Sequence, residues 1–161
     1  MLFMLLFALG SRANEPVADI STSATVLHQY LDATETDVRA ILADARTSTE
    51  LAPEVLNVQE APSGSCSLLD VTTRGPGSPM HYRALRCPTA WGWRTSLVSS
   101  DDFHSLETEW HVTPTRSGTA VTYRVQGELK KPIPEFLVRR GLERSARATL
   151  ENLRDRIAAP R

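Results

Sequence analysis

The sequence predicts one α+β domain, an antiparallel sheet of about seven strands with one long C-terminal helix and two short helices after the first strand. From residue 55 to residue 129, apolar and polar residues alternate with period two between turn signals, as in successive antiparallel strands. Residues 134–158 instead carry apolar residues at helical spacing. A length of 161 residues with 41% hydrophobic content is typical of a single globular unit with a sizeable core.

Composition excludes two broad classes of protein. The 18 Lys and Arg residues are balanced by 19 Asp and Glu residues, giving a net charge of -1. A nucleic-acid binder depends on a surplus of phosphate-neutralising cations, so we expect no nucleic-acid partner. The apolar content is also too high for a disordered chain.

The first residues resemble a secretory signal. Met1–Leu9 is an apolar run, far shorter than a membrane-spanning helix, and Ser11 and Ala13 supply small side chains for cleavage after Ala13. We therefore predict a signal peptide over residues 1–13, a linker over 14–20 and a folded domain over 21–158 in an exported protein, periplasmic or secreted. No Lys or Arg precedes the run, so a misplaced start codon or a retained membrane anchor stays open, as does a buried N-terminal strand.

The folded part begins with a strand and two short helices. Residues 24–31 alternate as a strand does, and Thr34 with Asp37 three residues later is a helix-capping pattern. A second helical turn ends near Pro53, which restricts the residue before it. The period-two segments then predict six more strands at residues 55–60, 66–73, 80–87, 93–98, 103–114 and 118–129.

The strongest turn signal, Gly75–Ser78, fixes the register of one hairpin. A turn centred between Pro76 and Gly77 sets Cys66 directly opposite Cys87. Opposed residues of antiparallel strands have Cα atoms about 4.5 to 5.5 Å apart, a separation that a disulfide spans. We therefore predict a disulfide between Cys66 and Cys87, a kind of bond that is common in exported proteins. The alternative is that both cysteines are buried free thiols.

A second hairpin follows from the turn at residues 115–118. Its register pairs Trp110 with Tyr123 on one face and Glu109 with Arg124 on the other. The apolar face has to be covered, and the predicted helix at 134–158, with a proline in its first turn, is long enough to do so.

Three segments resemble a known superfamily. They are residues 31–44 with Pro53 downstream, residues 102–110 followed by 118–123, and residues 132–142. They are similar to the strand-to-helix transition, the last two strands and the start of the terminal helix in the START-like (helix-grip, SRPBCC) superfamily. The polyketide cyclase/dehydrase and coenzyme Q-binding branches are the most similar.

This resemblance covers residues 21–158 and implies a helix-grip fold. In that fold a curved sheet wraps the long helix and encloses a cavity, closed at one end by the short helices. Such a cavity takes up apolar molecules, because removing apolar surface from water is favourable. Its predicted lining is Leu69, Val71, Met80, Tyr82, Trp110, Val112, Tyr123, Val125, Phe136, Val138 and Leu142. The alternative is that these side chains form solid core.

The candidates for catalysis are few. Tyr82 and Tyr123 could donate hydrogen bonds, and Trp91 or Trp93 could stack on a ring. The charged residues that could tune them fall by parity on the outer face of the sheet: Asp70, Arg83, Glu109 and Arg124. We therefore predict no catalytic residue.

Metal and cofactor chemistry have no motif in the sequence. The four histidines lie on different predicted elements without paired spacing, and there is no Gly-x-Gly-x-x-Gly, phosphate loop or Gly-x-Ser-x-Gly elbow. We expect no metal and no cofactor. Basic residues along the terminal helix are compatible with transient contact with an anionic membrane, although interleaved acidic residues favour a solvated face.

The expected function is binding rather than catalysis. We predict an exported carrier or binding protein for a hydrophobic small molecule or lipid. A polyketide cyclase or aromatase-type enzyme is the alternative, and a scaffold with a filled interior is a third class. The sequence does not indicate an oligomeric state.

Overall fold

The computed structural model describes residues 17–21 and 24–159. Those residues form eight strands and three helices. The strands are β1 (Val17–Ser21), β2 (Ala24–Leu31), β3 (Val55–Ser63), β4 (Cys66–Thr73), β5 (Met80–Pro88), β6 (Gly92–Ser100), β7 (Phe103–Pro114) and β8 (Thr119–Leu129). The helices are α1 (Glu35–Ala43), α2 (Ala45–Glu50) and α3 (Glu135–Ala158). None of these helices combines the length and apolar composition needed to span a bilayer.

The strands form one curved antiparallel sheet in the order β1-β2-β8-β7-β6-β5-β4-β3. The predicted meander and helix-grip order are confirmed, and the sheet has one strand more than predicted. This extra strand, β1, lies in the segment expected to be a linker and pairs with the outer edge of β2. Its sequence begins with two consecutive apolar residues, Val17 and Ala18, so it does not alternate strictly. The predicted signal peptide at residues 1–13 lies outside the described residues.

Both predicted hairpin registers are confirmed. Asp70 lies opposite Arg83 in β4 and β5, and Trp110 lies opposite Tyr123 in β7 and β8. The same β4–β5 register brings Cys66 and Cys87 together in a disulfide with a Cα–Cα distance of 4.3 Å. The bond ties the start of β4 to the end of β5.

The two short helices begin at side-chain caps. Thr34 Oγ1 accepts a hydrogen bond from the backbone N–H of Asp37 at 3.2 Å, as predicted. Asp44 caps α2 in the same way by accepting from the Thr47 N–H, and this bond lowers the pKa of the Asp44 carboxyl. Val38 and Leu42 of α1 are fully buried against the sheet.

Helix α3 packs differently along its two halves. Ala146, at the midpoint of the helix, and Leu150 and Leu153 in its second half are fully buried in a core shared with β2 and β8. In its first turn Phe136 and Leu137 remain 59% and 47% exposed. The first half therefore stands away from the sheet, and the space left over β4, β5, β7 and β8 is a cavity.

Candidate functional site

A cavity of about 720 Å³ lies between the inner face of the sheet, the α2–β3 segment and the first half of α3. This volume is within the roughly 300–1,000 Å³ of small-molecule sites. Most of its wall is apolar or aromatic, so it suits an apolar guest.

Eight of the eleven residues predicted to line a pocket do line this cavity: Leu69, Met80, Tyr82, Trp110, Tyr123, Val125, Val138 and Leu142. They come from four strands and from α3, because alternation along each strand points every second side chain inward. Their contact with a ligand stays a prediction.

The other three do not line the cavity. Val71 is fully buried in a cluster with Val58 and with Ala45 of α2, so α2 covers it. Val112 lies in the main core with Val38 of α1. Phe136 is in the first turn of α3, and its side chain is exposed. Strand parity assigns a residue to a face but does not show which helix covers it.

Two tyrosines put hydroxyl groups into the apolar wall. The rings of Trp110 and Tyr123 have centroids 4.3 Å apart, and Tyr82 meets Phe103 edge-on at 5.7 Å. Burial raises the pKa of both tyrosines well above the ordinary value, with the charge of Glu54 as a lesser cause. Both hydroxyls therefore stay protonated at neutral pH and can donate a hydrogen bond.

Glu54 is a polar lining residue that the sequence analysis missed. It lies between α2 and β3, and its carboxylate accepts a hydrogen bond from the Ser145 hydroxyl of α3. Its backbone oxygen accepts from Thr73 Oγ1 at 3.1 Å and from the N–H of Arg74 at 2.7 Å. Glu54 thus links α3 to the β4 side of the cavity, and no periodic pattern marks such a loop residue.

Arg86 is the second residue missed, and it is only 4% exposed. Its Nη2 donates to the backbone oxygen of Leu42 at the end of α1, and its guanidinium carbon lies 5.1 Å from the ring centroid of Trp93. Desolvation lowers the pKa of Arg86 to about 10, which leaves it cationic at neutral pH. Its parity along β5 matches that of Met80 and Tyr82, so alternation could have found it.

The cavity opens at a rim of exposed residues. They are Pro53, Arg74, Pro76, Leu137, Gly141 and Arg144. This rim lies between the first half of α3 and the loops that follow α2 and β4.

The outer face of the sheet carries the charged residues that parity predicts. Glu109 and Arg124 approach to 3.6 Å, and Asp70 and Arg83 are exposed. Trp91 stacks on His111 with centroids 3.8 Å apart, so it does not face the cavity. Within the described ranges, no three His, Cys, Asp or Glu residues cluster as metal ligands.

Comparison with known proteins agrees with this architecture. A family model described as polyketide cyclase/dehydrase and lipid transport matches residues 20–158. A search of curated proteins finds no match.

Solved structures share the fold at low sequence identity. A START superfamily protein from Mycobacterium smegmatis is 17% identical with a TM-score of 0.73, over 84% of this chain and 97% of that one. A STAR-related lipid transfer protein from Xanthomonas axonopodis is 17% identical with a TM-score of 0.69, over 94% and 97%. An aromatase/cyclase from a Streptomyces strain is 14% identical with a TM-score of 0.59, over 84% and 86%. At these identities the likeness shows the fold.

Proposed function

The chain belongs to the polyketide cyclase/dehydrase and lipid transport family, and from this premise we propose that it is an exported, non-catalytic carrier of a hydrophobic small molecule or lipid. The observation that carries the proposal is the cavity of about 720 Å³ with its apolar wall and its open rim. Burying an apolar guest there gains about 25 cal/mol per Å² of apolar surface removed from water. The protonated tyrosine hydroxyls orient the guest by donating hydrogen bonds.

Two features support export. The apolar run at residues 1–9 ends in small residues suited to cleavage after Ala13. The disulfide between Cys66 and Cys87 is of a kind that persists in oxidising compartments.

The N-terminal sequence of the protein recovered from its host tests cleavage. We expect a chain that begins at Asn14. Recovery of the uncleaved chain, beginning at Met1, from the cell pellet would contradict cleavage.

Surface chemistry beside the rim supports transient contact with an anionic membrane. Phe136 and Leu137 are exposed, and Arg139, Arg140 and Arg144 follow them on α3. Co-sedimentation with phosphatidylglycerol-containing vesicles is expected to drop several-fold for the double variant F136S/L137S. Equal sedimentation of the two proteins would contradict this contact.

A cyclase is the second candidate, because Tyr82, Tyr123 and Glu54 place polar groups in an otherwise apolar cavity. A cyclase needs an acid or base that moves protons, and the Glu54 carboxylate is the group available for this. A carrier returns its guest unchanged. A cyclase converts it, and E54Q would abolish the conversion while leaving binding in place.

Mass spectrometry of compounds extracted from the protein purified from its native host tests the carrier proposal. We expect an apolar compound at close to one molecule per chain. A purification that retains weakly bound cargo and still yields no apolar compound would contradict the proposal.

A further inference from the structure

The cavity wall contains a buried cation that no acidic residue balances directly. Arg86 lines the cavity and is 4% exposed, and among the described residues no carboxylate bonds to its guanidinium. The acidic groups whose charge acts on it are Glu60 and Asp44, and neither lines the cavity. Arg86 is therefore a buried positive charge in the wall of the cavity.

A buried charge is costly unless hydrogen bonds and an opposite charge offset the lost hydration. The Leu42 oxygen and the Trp93 ring offset part of this loss for Arg86. The guanidinium carries five N–H donors, and the Leu42 contact uses one of them. The remaining donors form a planar fork of the kind that binds a carboxylate through two parallel hydrogen bonds.

We propose that Arg86 binds the carboxylate of an amphipathic organic acid, so that the natural guest is an apolar body with one acidic head group. One buried cation balances the single negative charge of a carboxylate, whereas a phosphate monoester carries nearly two charges at neutral pH. The inference deepens the proposed carrier function and rests on it.

The polar groups of the cavity also set the direction in which such an acid binds. Glu54 is next to Pro53 at the rim, and it is paired with Ser145. Its negative charge disfavours an acidic head group there. The carboxylate of the guest therefore points inward to Arg86, and its apolar body extends along Leu69 and Val125 toward the opening.

The test uses two fluorescent probes that differ in one charge, cis-parinaric acid and its methyl ester. Each probe is titrated into the wild-type protein at about pH 8, where carboxylates are ionised. The acid is expected to bind roughly 10-fold tighter than the ester or more. If the ester binds as tightly as the acid, the inference fails and the carrier proposal stands. If neither probe binds, the carrier proposal itself fails. Tighter binding of an alkyl phosphate of matched length would overturn the assignment to a carboxylate.

Two variants on the same strand locate the effect. R86Q removes the buried cation, and R83Q removes a neighbouring cation on the outer face. We expect R86Q to lose the preference of roughly 10-fold for the acid and to keep binding the ester. Retained binding of the ester also shows that the cavity of the variant is intact. R83Q is expected to keep the preference. An unchanged preference in R86Q would overturn the role of Arg86, and the wild-type comparison of acid with ester decides the inference even if R86Q does not fold.

Discussion

At the scale of single residues, the cavity is defined by a few polar groups in an apolar wall. Tyr82 and Tyr123 supply hydroxyls that burial holds in the protonated form, because their pKa values are raised. Arg86 supplies a positive charge that stays in place at neutral pH. The cavity wall therefore contains hydrogen-bond donors and a cation, and this composition favours recognition of oxygen-bearing groups.

The raised tyrosine pKa values predict how stability depends on alkaline pH. Folded Tyr82 and Tyr123 keep their protons at a pH where the unfolded chain, with a tyrosine pKa of about 10, loses them. The contribution of this pKa difference to the free energy of unfolding is fully present below about pH 10. It is lost as pH rises above about 10, at up to about 1.4 kcal/mol per pH unit for each tyrosine. Urea unfolding across that range should show a shallower decline for Y82F and Y123F. A decline as steep as that of the wild type would contradict the burial of these hydroxyls, and Y30F, at an exposed ring, is the control.

The site could be predicted only in part from single residues. Alternation identified the inward faces of β4, β5, β7 and β8 correctly, and Arg86 obeys the same parity. It is absent from the predicted lining, and an arginine buried to this degree is rare. Glu54 lies in an irregular segment, so its position depends on how α2 and β3 pack and not on any period.

At the scale of secondary-structure elements, α3 has two functions in its two halves. Leu150 and Leu153 anchor the second half in the core, and Asn152 Nδ2 donates to the backbone oxygen of Leu51 at 2.8 Å. The first half covers the cavity, and only its Leu142 and Ala146 also pack in the core. Helical periodicity runs through both halves, so the sequence does not distinguish the anchor from the cover.

Leucine-to-alanine substitutions should reveal these two halves. L150A is expected to lower the free energy of unfolding by about 2–5 kcal/mol, because Leu150 is fully buried. L137A should cost less than about 1 kcal/mol, because nearly half of its side chain faces solvent. Chemical denaturation measures both values, and comparable losses would show that α3 is packed equally along its length.

The disulfide between β4 and β5 should act as a stabilising crosslink. The double variant C66S/C87S is expected to lose about 3 kcal/mol of stability, because the bond closes a loop with a sequence separation of 21 residues. Adding a reductant should lower the denaturation midpoint of the wild type and leave that of the variant unchanged. A wild-type midpoint that resists full reduction would contradict the role of the crosslink.

At the scale of the whole molecule, the fold and the presence of a cavity were predictable, and the volume of the cavity was not. Turn positions fixed the registers of β4–β5 and β7–β8, and the order of elements indicated the helix-grip arrangement. The volume of the cavity depends on how far the first half of α3 stands from the sheet. That distance results from the packing of α1, α2 and α3 together, and no local sequence pattern indicates it.

The central claim is that this cavity holds an apolar molecule, and titration with a neutral fluorescent guest tests it most directly. The methyl ester of cis-parinaric acid should bind the wild type saturably at one site per chain. It should bind more weakly to A148W, in which an indole takes up part of the cavity, and it should bind undiminished to A158W at the exposed end of α3. Binding that does not saturate, or that persists unchanged in a folded A148W, would contradict the claim.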